Sequence, residues 1–358
     1  MNSMKRQVVI VSPALADANN GNWQTARRWQ LLLQSPRAAE KADTLTQPAE
    51  PTRLLKVRIV TQWPDGPAAT QDSCMIALHA RRSAASAAAW AQSRSGVSAS
   101  DGHPQPVPGL AVVLTGTDLY RDIQTDVQAQ RSLQLAQRLV VLHALGLEAL
   151  PVEMRARAEV IFQSTPARAS LPKSARFLRA VMVGHLREEK SPHTLFAAAR
   201  LLTPGDAIQL DHIGAALDPA LAALAQDTAA ACPGYRWLGG LPHEATRRHI
   251  QRAHVLVHTS RMEGGAHVVM EAVRSGTPVL ASRIAGNVGM LGADYAGYFD
   301  WDNARQLLDL LRRCRHDAPF FGHLQAQCAA RAPLFAREAE QLAIERLVTG
   351  LLTTQVQA

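Results

Sequence analysis

No apolar run in this chain approaches the ~18 residues that cross a bilayer, so no membrane-spanning helix is expected. Cysteine is sparse and scattered. Cys74, Cys232, Cys314 and Cys328 form no CxxC pair, which argues against a zinc site or a disulfide framework and for buried or incidental thiols. Aromatic residues make up only 5%, and the basic residues form no Lys/Arg block interleaved with aromatics. A net charge of +8 is therefore a dispersed excess of arginine, suited to ligands that carry phosphates; no nucleic acid partner is expected. No acidic DxD-like cluster stands out, so neither a metal nor another cofactor is expected. Lysine is rare as well, with five in all: Lys5, Lys41, Lys56, Lys173 and Lys190. Residues 1–6, followed by Val8-Val9-Ile10-Val11, read as the approach to a buried strand. A secretory leader would need a longer apolar stretch and a small-residue cleavage site. The default expectation is the cytoplasm, with no membrane partner.

What the chain has is length and alternation. Its 358 residues suggest two domains. Short apolar segments alternate with helical patterns from end to end, which predicts α/β layers on parallel sheets. Candidate strands are 8–11, 57–61, 75–79, 111–114, 139–142 and 160–163, then 180–184, 207–212, 235–238, 255–258, 278–281 and 297–299. Helical patterns lie between them, for example 23–33, 193–202, 219–231, 243–253 and 304–315. Residues 35–53 and 92–109 read as surface loops, and 164–176, with Pro166 and Pro172, as the domain junction. The expected architecture is two Rossmann-like doubly wound domains facing a central cleft, residues 1–172 and 173–333, with a last helix over 334–351 packing back on the first.

The run Arg261-Met262-Glu263-Gly264-Gly265-Ala266-His267-Val268-Val269-Met270-Glu271 follows a strand and leads into an apolar helical pattern. Glu263 is expected at the strand-to-helix turn and Glu271 about two turns into the helix, where eight steps of ~100° return it to the same side. The two glycines let backbone approach a ligand closely, and the first helical N–H groups favour an anion. Carboxylates for hydroxyls beside amides for a phosphate is the chemistry a nucleotide sugar needs. Each Glu taken alone is an ordinary helix-start or helix-face residue. Upstream, Val183-Gly184-His185-Leu186-Arg187-Glu188-Glu189-Lys190 closes a strand, at the end where α/β sheets bind ligands. A sequence that otherwise uses Arg yet keeps Lys190 there hints at a compact charge on a phosphate. The plain alternative, a solvated Lys at a helix start, is one the helix dipole does not favour.

These segments, with Leu238-Gly239, His258-Thr259-Ser260-x-x-Glu263-Gly264 and Glu271-Ala272-Val273-x-x-Gly276-x-Pro278-Val279, resemble the second domain of family 4 glycosyltransferases over residues 177–299. The resemblance implies the two-domain GT-B fold and a nucleotide-sugar donor. It assigns Glu263 to the donor-sugar hydroxyls, Glu271 to the ribose, and the amides of Gly265, Ala266 and His267 to the diphosphate. It adds Gly184, Leu241, Gly264 and Val268 to the donor pocket. The family's basic pair on the diphosphate is an Arg directly after the Gly and a Lys five positions on. Lys190 matches the Lys, but His185 stands at the Arg position, so His185 and Arg187 are rivals for that role.

The first domain departs from the family's usual Gly-Gly turn. Asn19-Asn20-Gly21-Asn22-Trp23-x-Thr25 supplies a tight turn and amides at a helix N-terminus, either a small-anion cradle or a plain N-cap by Asn20 or Asn22. His79-Ala80-Arg81-Arg82-Ser83 and Leu114-Thr115-Gly116-Thr117-Asp118-Leu119-Tyr120-Arg121 each follow a strand. Arg81, Arg82 and Arg121 suit an anion; Asp118 caps a helix, or orients the acceptor or Arg121. Together these loops resemble the selenosugar synthases of selenoneine biosynthesis. That resemblance implies a UDP-sugar donor (UDP-N-acetylglucosamine or UDP-glucose), selenophosphate as acceptor, and functional coupling to a selenophosphate synthetase and a selenoneine synthase. The acceptor residues it implies are Asn20, Gly21, Asn22, Thr25, His79, Arg81, Thr117, Asp118 and Arg121. The other functions to be weighed are transfer to a hydroxyl acceptor, a UDP-sugar epimerase and a non-catalytic UDP-sugar sensor.

Overall fold

The computed structural model describes residues 6–14, 21–36, 55–94 and 105–353. The chain divides into two compact units, Met1–Gln163 with Arg337–Ala358, and Ser164–Ala336. The junction thus falls nine residues before the expected 172. Residues 164–171 are tied into the second unit by backbone bonds from Thr165 to Phe335, Arg168 to Arg274 and Leu171 to Gln251.

The first unit holds β1 (Gln7–Val11), β2 (Lys56–Val60), β3 (Asp72–Leu78), β4 (Val107–Leu114), β5 (Ala136–Val141) and β6 (Ala158–Val160), all parallel, in the order β2-β1-β3-β4-β5-β6. Helices α1 (Gly21–Leu33), α2 (Ala84–Arg94) and α3 (Val127–Leu135) connect them. The period-2 geometry of a strand explains why these segments read as unbroken apolar runs: both faces are covered. Val8, Ile10, Ile76, Leu78 and Val113 pack with Ala26, Trp29 and Leu32 of α1, while Val9, Val11, Ala77, Val112 and Leu114 pack with Ala87 and Trp90 of α2. The expected loop over 92–109 is shorter than it reads, because α2 continues to Arg94 and β4 begins at Val107. Most of the expected 35–53 loop lies outside the described residues.

The C-terminal helix, Arg337–Thr353, belongs to this first unit and completes the α1 face with Ile344, Leu347, Val348 and Leu351. It begins after a short 3-10 turn, Ala332–Phe335, three residues later than the apolar pattern suggests. Glu340 anchors it. Its carboxylate, 1% exposed, accepts from Trp29 Nε1 (2.7 Å) and from Arg28 Nε (2.9 and 3.0 Å).

The second unit contains β7 (Leu178–Val183), β8 (Ile208–Ile213), β9 (Tyr235–Trp237), β10 (Val255–His258), β11 (Val279–Ser282) and β12 (Tyr298–Phe299), parallel in the order β12-β11-β10-β7-β8-β9. Its helices are α4 (Pro192–Leu201), α5 (Pro219–Ala231), α6 (His243–Arg252), α7 (His267–Val273), α8 (Ala285–Leu291), α9 (Ala304–His316) and α10 (Ala318–Arg331). Helix starts follow local chemistry: Asp218, Asn303 and Asp317 each cap one through a side-chain oxygen.

Strand order in each sheet reverses at one place, between β1 and β3 in the first unit and between β7 and β10 in the second. Loops leaving the carboxyl ends of strands at such a reversal diverge and leave a crevice. The β7 and β10 loops carry Gly184–Lys190 and Thr259–Glu263; the β3 loop carries His79–Ser83.

Glu340→Ala leaves two donors of α1 facing a buried gap, and denaturant unfolding should show a loss of about 3 kcal/mol in the first unit's stability.

Candidate active site

In the second unit, the loop after β7 is shaped by close backbone approach. A Cβ placed on Gly214 would lie 1.8 Å from the Gly184 carbonyl oxygen, and one on Gly184 would lie 3.3 Å from Lys190 Cγ. The buried ring of His212 fixes this turn. Its Nε2 donates to the Gly184 carbonyl (3.1 Å), and its Nδ1 accepts from the Tyr235 hydroxyl (3.0 Å). Burial pushes the His212 pKa down to about 4, so the ring stays neutral in that tautomer. His185 is exposed at the mouth of the turn and accepts at Nδ1 from the Ala215 amide (3.1 Å), so its proton sits on outward-facing Nε2. Burial first, then Arg187 and Lys190, push its pKa below the ordinary histidine range. The expected Arg position therefore presents a neutral N–H, with the exposed Arg187 two residues on. On the neighbouring loop after β9, Gly240 faces Ala215 and is followed by the half-buried Leu241.

Lys190 ends a 3-10 turn, Glu188–Lys190, that is tied to the loop after β10. Thr259 Oγ1 donates to the Lys190 carbonyl (2.7 Å), and the Arg261 amide to the Glu189 carbonyl (2.9 Å). These bonds bring the Lys190 ammonium onto Glu263 Oε1. His258 Nε2 lies 3.4 Å from the same oxygen. Burial pushes the Glu263 carboxyl up, but Lys190 and His258 outweigh it and hold the group well below the usual carboxylate range. The backbone behind Glu263 is fixed by Gly286 of α8, where a Cβ would lie 2.3 Å from the Glu263 carbonyl oxygen.

Glu271 lies differently from expectation. Gly264, Gly265 and Ala266 are not helical, α7 starts only at His267, and Glu271 is about one turn in. The two glutamates therefore do not share a helix face; Glu263 is on a loop and Glu271 on a helix. Gly265, His267 and Val268 are partly exposed around the start of α7, while Gly264 and Ala266 are buried. Glu271 Oε1 accepts from His243 Nε2 (2.7 Å) and lies 3.4 Å from Nη1 of the buried Arg247. Arg247 also donates to Thr165 Oγ1 (2.7 Å) and the Pro166 carbonyl (3.0 Å). Burial pushes Glu271 up, while the His243 bond and the charges of His267 and Arg247 bring it below its ordinary range.

The first unit gathers only part of its expected set. His79 ends β3 in the left-handed region (φ 72°) and is buried. Its Nδ1 accepts from the Arg82 amide (3.4 Å), and Nε2 lies 3.2 Å from Thr117 Oγ1. Burial lowers its pKa, against the raising effect of Asp118. The fully buried Asp118 accepts from the Thr115 and Gly116 amides and, across the β3 loop, from the Ala80 amide, each at 2.9 Å. It therefore braces the two loops, rather than ending on Arg121. Arg81 pairs with Asp126 (2.9 Å) and Arg121 with Asp122 (3.1 Å). Gly21 and Asn22 open α1; Thr25 is buried, donating to the Gly21 carbonyl (2.8 Å) and accepting from Gln163 Nε2 (2.6 Å). Asn20 lies outside the described residues.

Residues 164–333 match the family described as glycosyl transferases group 1. The second unit is a group 1 glycosyltransferase domain. Among solved structures, the chain is similar to sucrose-phosphate synthase from Thermosynechococcus elongatus (18% identity, 98% of this chain and 100% of that one, TM-score 0.70). It is also similar to Alr3699/HepE of Anabaena, solved with UDP and glucose (12% identity, 98% and 100%, TM-score 0.66). At these identities the likeness is one of fold, and the fold is GT-B. No match to the sequence was found among curated proteins. No helix among the described residues is long and apolar enough to cross a membrane.

Three residues that contact the glutamates of this glycosyltransferase gave little sign of themselves in sequence: His243, Arg247 and His258. The available signal was the i, i+4 spacing of His243 and Arg247 on one face of α6. A buried carboxylate such as Glu271 requires positive partners of this kind.

Gly214→Ala drives a methyl into the Gly184 carbonyl; a loss of about 1–3 kcal/mol in the second unit's unfolding free energy is expected, with distortion of the turn that carries His185. The His243–Glu271 pair sets a pH dependence. The hydrogen bond to Glu271, outweighing burial, raises the His243 pKa above its ordinary value. The resulting stabilisation is complete below the ordinary histidine range and is lost as pH rises through the raised value; Glu271 stays ionised throughout. Melting temperature should thus fall between about pH 6 and 8 by more in the wild type than in His243→Gln.

Proposed function

We propose that this glycosyltransferase takes a sugar, glucose or N-acetylglucosamine, from a UDP-sugar and transfers it to selenophosphate. The observation that carries the donor half is the meeting of Lys190 and Glu263 at the strand-order reversal of the second sheet, with Glu271 one helix turn beyond. The Anabaena neighbour solved with UDP and glucose supports a UDP-sugar donor. On this reading Lys190, His185 or Arg187, and the amides around His267 meet the diphosphate, and fixed charges and dipoles stabilise the negative charge that develops as UDP leaves. Glu263 takes sugar hydroxyls and Glu271 the ribose. The anomeric carbon–oxygen bond breaks, a selenium lone pair forms the carbon–selenium bond, and UDP departs with the bond electrons. Water then cleaves the phosphorus–selenium bond to release phosphate and the selenosugar. Selenophosphate arrives already anionic, so no strong general base is needed. A selenophosphate synthetase would supply the acceptor, and a selenoneine synthase would consume the product.

The selenium half is supported by the Asn-Asn-Gly-Asn-Trp, His-Ala-Arg-Arg-Ser and Thr-Gly-Thr-Asp loops of the first unit. One observation favours a second reading. Arg81 and Arg121 both end on carboxylates, which makes their loops less cationic than the sequence suggests and suits a neutral hydroxyl acceptor.

Incubation with UDP-glucose or UDP-N-acetylglucosamine and selenophosphate should yield a selenium-bearing sugar and free UDP by mass spectrometry. O-glycoside from an alcohol, with no product from selenophosphate, would establish the second reading. Lys190→Ala and Glu271→Ala should each lower turnover by roughly a hundredfold; near-normal turnover in both removes the donor assignment.

A further inference from the structure

Residue 258 ends a strand of the second sheet that is buried on both sides, a place an apolar side chain would fill without difficulty. Histidine stands there, 2% exposed. The backbone that carries it is fixed by the sheet: β10 pairs in register with β11, His258 opposite Ala281, and the Ser260 carbonyl just beyond accepts from Ser282 Oγ (2.6 Å). Nδ1 is buried without a hydrogen-bond partner. A proton on that atom would be an orphaned donor, so the neutral ring carries its proton on Nε2. That edge faces Ser260 Oγ at 3.3 Å and Glu263 Oε1 at 3.4 Å. Among the described residues, the neighbours that face the Glu263 carboxylate with hydrogen-bond donors are His258 and Lys190, and both address the same oxygen. Lys190 is also the group expected to meet the diphosphate. When its ammonium turns toward phosphate, a carboxylate set in a low-polarity pocket retains one fixed donor, His258, and bonds that are long without ligand tighten once it binds.

We propose that His258 is a positioning residue: it fixes Oε1 of Glu263 so that the other carboxylate oxygen is presented to the hydroxyls of the donor sugar. This rests on the reading of the second unit as a UDP-sugar site, and it gives His258 a duty toward the sugar and none toward the nucleotide. Its loss therefore alters the relative affinities for UDP-sugar and UDP, not the affinity for UDP itself.

The test is isothermal titration of the full chain with UDP, UDP-glucose and UDP-N-acetylglucosamine, comparing the ratio of UDP to UDP-sugar affinity across variants. His258→Leu should bind UDP as the wild type does, while the ratio shifts roughly tenfold against the sugar, the worth of a hydrogen bond to a charged group. His258→Gln, whose amide reaches the place of Nε2, should restore most of the ratio. His258→Asn, whose amide reaches only the place of Nδ1, should not, and it serves where the leucine variant fails to fold. An unchanged ratio in His258→Leu and His258→Asn overturns the proposal. So does an equal loss of UDP and UDP-sugar binding, which would make His258 a structural residue, or a glutamine variant no better than asparagine. Wild-type protein that binds neither UDP nor UDP-sugar overturns the donor reading itself and is told apart from these by the wild-type titration alone.

Discussion

Two carboxylates withdrawn from water at the carboxyl edge of one sheet govern this molecule's second unit. A buried carboxylate stays ionised only where cations and N–H groups compensate the lost solvation. Around Glu263 the compensation comes from Lys190 and His258; around Glu271 it comes from His243 and Arg247. Meeting that requirement draws together the turn after β7, the loop after β10, the start of α6 and the segment at 165–166. The electrostatic demand and the loop architecture are one constraint. The glycines at 214 and 286 permit it, because only backbone without a side chain fits where these loops touch.

The same compensation fixes where a cation stands: Lys190 is held against the loop after β10 by its pairing with Glu263. The first unit follows the same logic with a different outcome. There the fully buried Asp118 is satisfied by three backbone amides and acts as a brace between two loops. Arg81 and Arg121 are steadied by acidic neighbours on the surface. In the second unit buried acids hold cations; in the first, Asp118 holds backbone.

How much could be read from sequence followed from how local each signal was. Every candidate strand has an observed counterpart within a few residues, because a strand covered on both faces writes itself as a continuous apolar run. Helix 219–231 was readable end to end, since Pro219 and Asp218 mark its start. That Lys190 and Glu263 stand in loops just past strand ends was legible from the sequence. The register of Glu271 was not, because the pattern cannot show that Gly264-Gly265-Ala266 remains extended and delays α7 to His267. Nor could it show which cation compensates which carboxylate: His243 and Arg247 lie more than twenty residues from Glu271 in sequence, and the contact is created by the sheet, not by the run that contains them. The role of Asp118 was left open for the same reason; its decisive partner, the Ala80 amide, belongs to another strand's loop.

The C-terminal helix has a bearing on synthesis. Residues 164–336 form the second unit entirely from contiguous chain, whereas the first unit needs 337–353 to cover the face of its sheet lined by Val8, Ile10, Ile76 and Val113. During synthesis, where domains made first usually fold first, the first unit keeps one apolar face uncovered until residues 337–353 have emerged. A chain cut short of them would expose the strand faces that this helix conceals.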